Sequence, residues 1–584
     1  MTIRDRGLIA VLAVALVLLS GVSLAASLEP SAGQGGPQPS DSVTARPYVE
    51  GVLGHATNAS PFGERSPADR DLVALLFRGL VRLGPGTSIV PDLASHWEVD
   101  STGKLWTFHL RPNQTWDDGA PITADDVVFT VAVLSDPSYT GPGAASWRDV
   151  TATASDELTV TLQLATPLGG FLQAATQPIA PAHLLGGIAP AALPDDPFGQ
   201  APVGSGPFRL TYLDSTRAEL APVIPAGEVP TGPGGSGEGG GPPLATPVPT
   251  DSLVTPPPTE PPGVALPYLD GIEFRYYDDV ASLKAAWDQG LLDAASGLAP
   301  TDARDLATDG GRVLQYPGTT LLAVDLDLRP ARKDFLDPRV RKALLEAIDR
   351  PTIVTSILDG LGTKADSLIP PTSPMLDPST GQPIAYNPAA AKADLAKAGW
   401  TQGVDSWTPK GAKTAISIEL LSPEQSANPV AYATAEAVAQ NWRDIGLDVS
   451  VTPLSAADLL GQRLHPGGFQ AALVPLAIGL DPDLYPLLAS SQTRTTGSNV
   501  SGLQDPSLDR LLSAARAPGT DAARKAAYRA LEVRLDAGLY ILPIAFRDEY
   551  VVLRNTVVGP TPRPVSTSGD RFWDVLTWRL LDGR

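Results

Sequence analysis

Trp97 and Val99 alternate with polar neighbours, and after a polar break at 100–103 Trp106, Phe108 and Leu110 alternate again. A period of two belongs to a strand with one buried face, so the pattern predicts two strands joined into a hairpin by Asp100-Ser-Thr-Gly103. Past a second turn at Asp117-Asp-Gly119 the period lengthens. Val127, Val128, Val131 and Leu134 share one helical face, Thr123 is placed as the N-cap, and Asp125 and Asp126 sit in the first turn, where the helix dipole favours carboxylates. The same reading predicts strands at 48–53, 159–164, 209–213, 268–276 and 539–546. It predicts helices at 71–80, with Leu72, Leu75, Leu76 and Leu80 on one face, and at 279–289. A helix over 337–350 carries Val340, Leu344, Ala347 and Ile348, and one over 386–400 is capped by Asn387, opened by Pro388 and closed by Gly399. A strand at 416–421, a helix at 432–445 and a strand at 447–451 form a succession that points to a parallel sheet.

The chain has 584 residues, enough for more than one lobe. Its net charge of −21 argues against nucleic-acid binding, which needs a basic face. With no cysteine, disulfides, thiol catalysis, cysteine-bound metals and lipid attachment through cysteine are all excluded. Arg4 and Arg6 precede an apolar run at 8–19, and Ser23-Leu-Ala25 offers small residues for signal peptidase. Residues 1–26 therefore read as a signal peptide or an uncleaved membrane anchor, and the chain is expected outside the cytoplasm, periplasmic or at the cell surface. Residues 27–46 read as a flexible linker. Residues 222–267 hold 14 prolines and 9 glycines. Such a stretch buries too little apolar surface to offset its ordering entropy, and an exposed, disordered insert within a lobe is expected.

Catalytic chemistry finds no foothold. The histidines His55, His96, His109, His183 and His465 are scattered, and no zinc-protease, nucleophile-elbow or phosphate-loop motif occurs. His96 and His109 read as structural histidines of the hairpin. The acidic pairs Asp117-Asp118 and Asp125-Asp126 are explained by a turn and a helix start. The chain is not expected to be an enzyme, and no metal or cofactor is expected.

The stretch 90–133 resembles the peptide/nickel family of solute-binding proteins that serve ABC importers. The matching residues are Pro91, Leu93, Ala94, Trp97, Trp106-Thr-Phe108, Leu110-Arg111, Asp118-Gly119, Pro121, Thr123-Ala124, Asp126 and Val127. Further matches are Phe77-Arg-Gly-Leu80, with Arg78 in place of the usual glutamate, and the turn 202–208. The helices at 337–350 and 386–400, the Asp505-Pro segment and the strand at 539–546 also match, so the resemblance spans about 48–560. It implies an α/β, two-lobed periplasmic-binding-protein-like fold of type II, with mixed sheets, a hinge and a central cleft. Lobe 1 is expected over 47–276, lobe 2 over 277–539 and a return to lobe 1 over 540–584. The implied function is capture of a peptide or peptide-like small molecule for an ABC permease by a monomeric binding protein. A surface interaction or sensor protein that kept the fold without transport is the alternative.

The resemblance also implies site residues. The loop Arg65-Ser66-Pro-Ala-Asp69 lies where relatives offer backbone groups to an extended ligand. Asp481, Asp483 and Tyr485 match the family's segment at the cleft, while Arg463 and Arg494 are placed to meet a carboxylate. One departure is sharp. Residues 475–480 read P-L-A-I-G-L and lack the aromatic and the aspartate that meet a peptide's α-ammonium in relatives. Either Asp481 or Asp483 substitutes, or the ligand is not an ordinary peptide with a free amine, because a buried ammonium needs a counter-charge.

Overall fold

The computed structural model describes residues 46–223, 269–381, 383–493 and 497–581. The expectations for the leader 1–26, the linker 27–46 up to residue 45, the insert from residue 224 and Arg494 lie outside the described residues.

Strand β1 (Tyr48–Leu53) leads through helix α1 (Pro67–Leu76) to the hairpin β2 (Ala94–Val99) and β3 (Leu105–Leu110). Helix α2 (Ala124–Ser135) follows, then β4 (Val150–Asp156), β5 (Thr159–Leu164), β6 (Phe208–Leu213) and β7 (Arg217–Pro222). Next come β8 (Ile272–Tyr277), helix α3 (Val280–Asp288), β9 (Ala294–Ser296) and the 16-residue strand β10 (Gly311–Leu326). The remainder holds α4 (Pro338–Glu346), α5 (Arg350–Ser356), α6 (Pro388–Lys397), β11 (Ser417–Pro423), α7 (Pro429–Asp444), β12 (Asp448–Leu454) and β13 (Ala471–Ala477). Helices α8 (Pro506–Arg516) and α9 (Asp521–Gly538) and the 14-residue strand β14 (Ile541–Arg554) follow, with shorter elements in between.

The hairpin and α2 form where the alternation and the Thr123 cap place them. Two predicted helices differ. Helix α1 starts at Pro67, earlier than 71, because Ser66 and Asp69 close a capping box around its first turn. The helix predicted over 337–350 is two helices. Asp349 accepts a hydrogen bond from the Thr352 N–H and starts α5 with Pro351 in its first turn, so the apolar run through Ile348 crosses a break. The parallel pairing of β11 with β12 is present.

One mixed sheet runs in the order β12-β11-β13-β10-β14-β9-β1-β8-β7-β6, with Gly362–Lys364 paired to β14 as its eleventh strand. Strands β2, β3, β5 and β4 make a separate four-stranded sheet. The buried apolar residues form two large cores. One gathers the hairpin sheet, α1 and α2 with Tyr316, Val551 and the C-terminal Phe572 and Trp578; the other gathers α4 to α9 with Leu321, Leu326 and Phe546. The antiparallel pair β10 and β14 belongs to both. A register shift between Tyr316 and Thr320 marks where one core gives way to the other. Gly318 sits in that shift, where a β-carbon would collide with the Arg547 carbonyl, and its N–H donates to Asp548 Oδ1 at 3.0 Å. The passage from one core to the other lies in β10, and β8 and β9 both pair with β1. Among the described residues no helix is long and apolar enough to cross a membrane.

Asp325 is buried at the penultimate position of β10, and desolvation pushes its carboxyl up to about 7. The folded pKa stands above the unfolded one. The folded chain therefore holds this proton where the unfolded chain has released it, and stability falls as pH rises from about 4 through 7. Asp325→Asn is expected to raise the urea midpoint at pH 8, by a free energy on the order of 2–4 kcal/mol, and to raise it by less than half as much at pH 5, since most of the difference accrues between pH 5 and 7. Equal effects at both pH values would contradict this account of the site.

Candidate functional site

Two places gather polar groups that could meet a ligand. The first is a cavity of about 880 Å³ on the first core, bounded by α1, the segment after β3, residues 142–147, 173–178 and the C-terminal turn 567–576. Phe77, Trp147 and Trp573 supply apolar walls, and Glu64, Arg70 and Arg78 supply charge. Arg78 is fixed, its Nε donating to Asp92 Oδ1 at 2.6 Å and its Nη1 to Gln114 Oε1 at 2.8 Å. Arg70 is different, since its buried Nε has no hydrogen-bond partner. Burial pushes the Glu64 carboxyl up to about 7, and the charge of Arg70 opposes that rise. Among the charged residues that line the cavity, Arg78 is thus fixed, Arg70 has spare donor capacity and Glu64 titrates near neutrality.

The second place is where the two cores touch away from the β10–β14 crossing. Phe171 belongs to the first core, and the turn ahead of it lies on the second. The Gly169 N–H donates to the Arg516 carbonyl at 2.8 Å. Arg524 grips Asp481 with two bonds of 2.6 and 2.8 Å, and Arg516 Nη2 donates to Asp483 Oδ2 at 2.8 Å. A β-carbon on Gly170 would stand 2.6 Å from Asp481 Cγ, so only glycine lets the two surfaces meet this closely.

The residues singled out in the sequence fall into separate groups. Arg65, Ser66 and Asp69 gather at the start of α1, where they are not a free loop. Asp69 is fully buried and accepts four backbone N–H bonds, from Thr57, Asn58, Arg65 and Ser66. Ser66 Oγ accepts from the Asp69 N–H at 3.0 Å, and Arg65 pairs at the surface with Asp195 at 2.5 Å. Asp481, Asp483 and Tyr485 lie together at the core–core contact. Tyr485 carries the Arg516 guanidinium over its ring at 4.6 Å, and its hydroxyl lies 3.1 Å from Ser491 Oγ. Arg463 stands apart, donating to the Gly468 carbonyl at 2.7 Å and pairing with Glu419 on β11. Arg516, Arg524, Arg70 and Glu64 were not legible as site residues. The two arginines sit on amphipathic helices, 33 and 43 residues after their partners.

The aspartate-free stretch 475–480 continues β13. Pro475 and Ala477 are exposed there, and Ile478 is buried. No carboxylate stands in that stretch. The two nearest ones, Asp481 and Asp483, are both engaged by arginine.

A model of the bacterial extracellular solute-binding proteins, family 5 Middle, matches residues 88–221 and 262–498. The oligopeptide-binding protein AppA of Bacillus subtilis is 23% identical over 517 residues, covering 87% of each chain. The dipeptide-binding protein of Escherichia coli is 24% identical over 519 residues, covering 84% of this chain and 87% of its own. Among solved structures, AppA from Bacillus subtilis in complex with a nonapeptide superposes with a TM-score of 0.70 at 20% identity, over 92% of this chain and 99% of that one.

Proposed function

Because the chain belongs to the bacterial extracellular solute-binding proteins of family 5, we propose that it captures a peptide or peptide-like solute outside the cytoplasm and presents it to an ABC permease. The reading rests on two cores joined by the paired strands β10 and β14, with a second, separable contact at Asp481. Such a pair of bodies can hinge at the register shift by Gly318 and close over a ligand. The cores serve as the two lobes, and residues 1–26 direct export by a cleaved signal or hold the chain as an anchor. The chain acts as a monomer and releases its ligand unchanged; no bond is made or broken.

The ligand chemistry follows from charge. Asp481 and Asp483 already balance Arg524 and Arg516, and freeing either would leave a poorly solvated arginine without its counter-ion. Neither is a spare counter-charge for an α-ammonium. The ligand is therefore a peptide-like molecule held through its backbone and side chains, with no requirement for a free amino terminus.

Calorimetry with peptides of two to nine residues, each with a free or an acetylated amino terminus, tests this. Acetylated peptides are expected to bind within about threefold of their free counterparts, less than the tenfold that 1.4 kcal/mol would give. A strict need for the free amine, abolished by Asp481→Asn, would contradict the ligand class while leaving peptide capture standing.

A further inference from the structure

We infer that the outer face of the β2–β3 hairpin is a binding site for a late first-row divalent transition ion, such as Ni²⁺ or Zn²⁺, held by His96, His109 and Glu98. The hairpin register sets His96 directly across from His109, and the two rings lie stacked with centroids 4.3 Å apart. Glu98 is two residues along β2 and so projects from the same face, away from buried Trp106 and Phe108. One ligand atom from each of the three residues falls within 4.8 Å of the others. Donors bound to one ion at about 2.0–2.2 Å stand roughly 3–3.5 Å apart, so modest rotation of the exposed His96 and Glu98 side chains towards the half-buried His109 closes the set.

A fourth residue fixes the imidazole. Ser95 Oγ donates its single proton to the His109 carbonyl at 3.0 Å and also lies 3.0 Å from His96 Nδ1. With that proton spent, Ser95 Oγ can only accept from His96, which places the His96 proton on Nδ1 and leaves the Nε2 lone pair outward. A hydrogen bond that fixes the tautomer of a metal-binding histidine is the usual support for such a ligand. Asp156 belongs to the same row, across Thr159 from His109, and adds negative charge beside the site. Two imidazoles and one carboxylate suit borderline ions and disfavour Mg²⁺ and Ca²⁺, which take oxygen ligands. The remaining positions face solvent. None of its ligands belongs to the core–core contact, and the site goes beyond the capture of a peptide-like solute.

Calorimetry of the tag-free full chain, stripped of metal and titrated with Ni²⁺ and then Zn²⁺, decides the matter. One equivalent is expected to bind, with affinity lowered at least tenfold in His96→Ala and in His109→Ala, lowered less in Glu98→Gln, and unchanged in His183→Ala. The ion should raise the melting temperature of the parent chain and not that of His96→Ala, whose metal-free melting should match the parent because the side chain is exposed. Absence of one-to-one binding, or the same isotherm in the His96→Ala/His109→Ala double variant, overturns the proposal. If either alanine variant melts early without metal, Glu98→Gln carries the test, and an isotherm unchanged there also overturns it.

Discussion

Arg571→Ala is expected to destabilise the first core by about 3–5 kcal/mol, the range for removing one partner of a buried ion pair. Arg571 is 4% exposed at its side chain, Glu50 is 0% and Asp71 is 4%. Its Nη2 donates to Glu50 Oε1 at 2.6 Å and its Nη1 to Asp71 Oδ2 at 2.7 Å. Tyr48 Oη adds a bond to Glu50 Oε2 at 2.8 Å. One guanidinium therefore ties β1, α1 and the C-terminal segment together, and its loss strands two carboxylates where water cannot reach them. Burial already holds Asp71 up at about 6 despite the arginine. Without that cation Asp71 should protonate more readily. Because the folded pKa of Asp71 lies above its unfolded one, the variant should recover stability as pH falls from 8 towards 5. Urea unfolding of the parent and variant at both pH values measures this. A loss under about 1 kcal/mol at pH 8 would show that the carboxylates are solvated and the triad immaterial.

Gly170→Val should be nearly silent for stability and severe for ligand capture. The side chain enters the space now held by the Asp481 carboxylate, 2.6 Å from a β-carbon at residue 170. It leaves both hydrophobic cores intact, because the turn projects outward from Phe171. The core–core contact must open, breaking the Gly169–Arg516 hydrogen bond. If closing the lobes is part of binding, peptide affinity should fall by tenfold or more, about 1.4 kcal/mol at the least. Urea unfolding should move by under about 1 kcal/mol. Unchanged affinity would mean that this contact plays no part in capture.

Much of this architecture is written in local pattern. The hairpin, the Thr123-capped helix and the parallel pair at 417–454 follow from side-chain period and turn residues alone. Boundaries failed where a cap overrode the apolar stripe, at Ser66 and at Asp349. The triad of Glu50, Asp71 and Arg571 was invisible because Arg571 lies 500 and 521 residues after its two partners. Asp481 and Asp483 were visible as carboxylates, but their arginines belong to later helices, so their neutralisation was not. The His96–His109 pairing follows from local signals, because the turn at 100–103 sets the hairpin register that puts the two histidines across from each other.

Small-angle scattering of the full chain, with and without a peptide that calorimetry shows to bind, tests the hinged-capture account most directly. The radius of gyration is predicted to contract when the peptide binds the parent chain and to stay expanded in Gly170→Val. An unchanged radius in the parent at saturating peptide would contradict it.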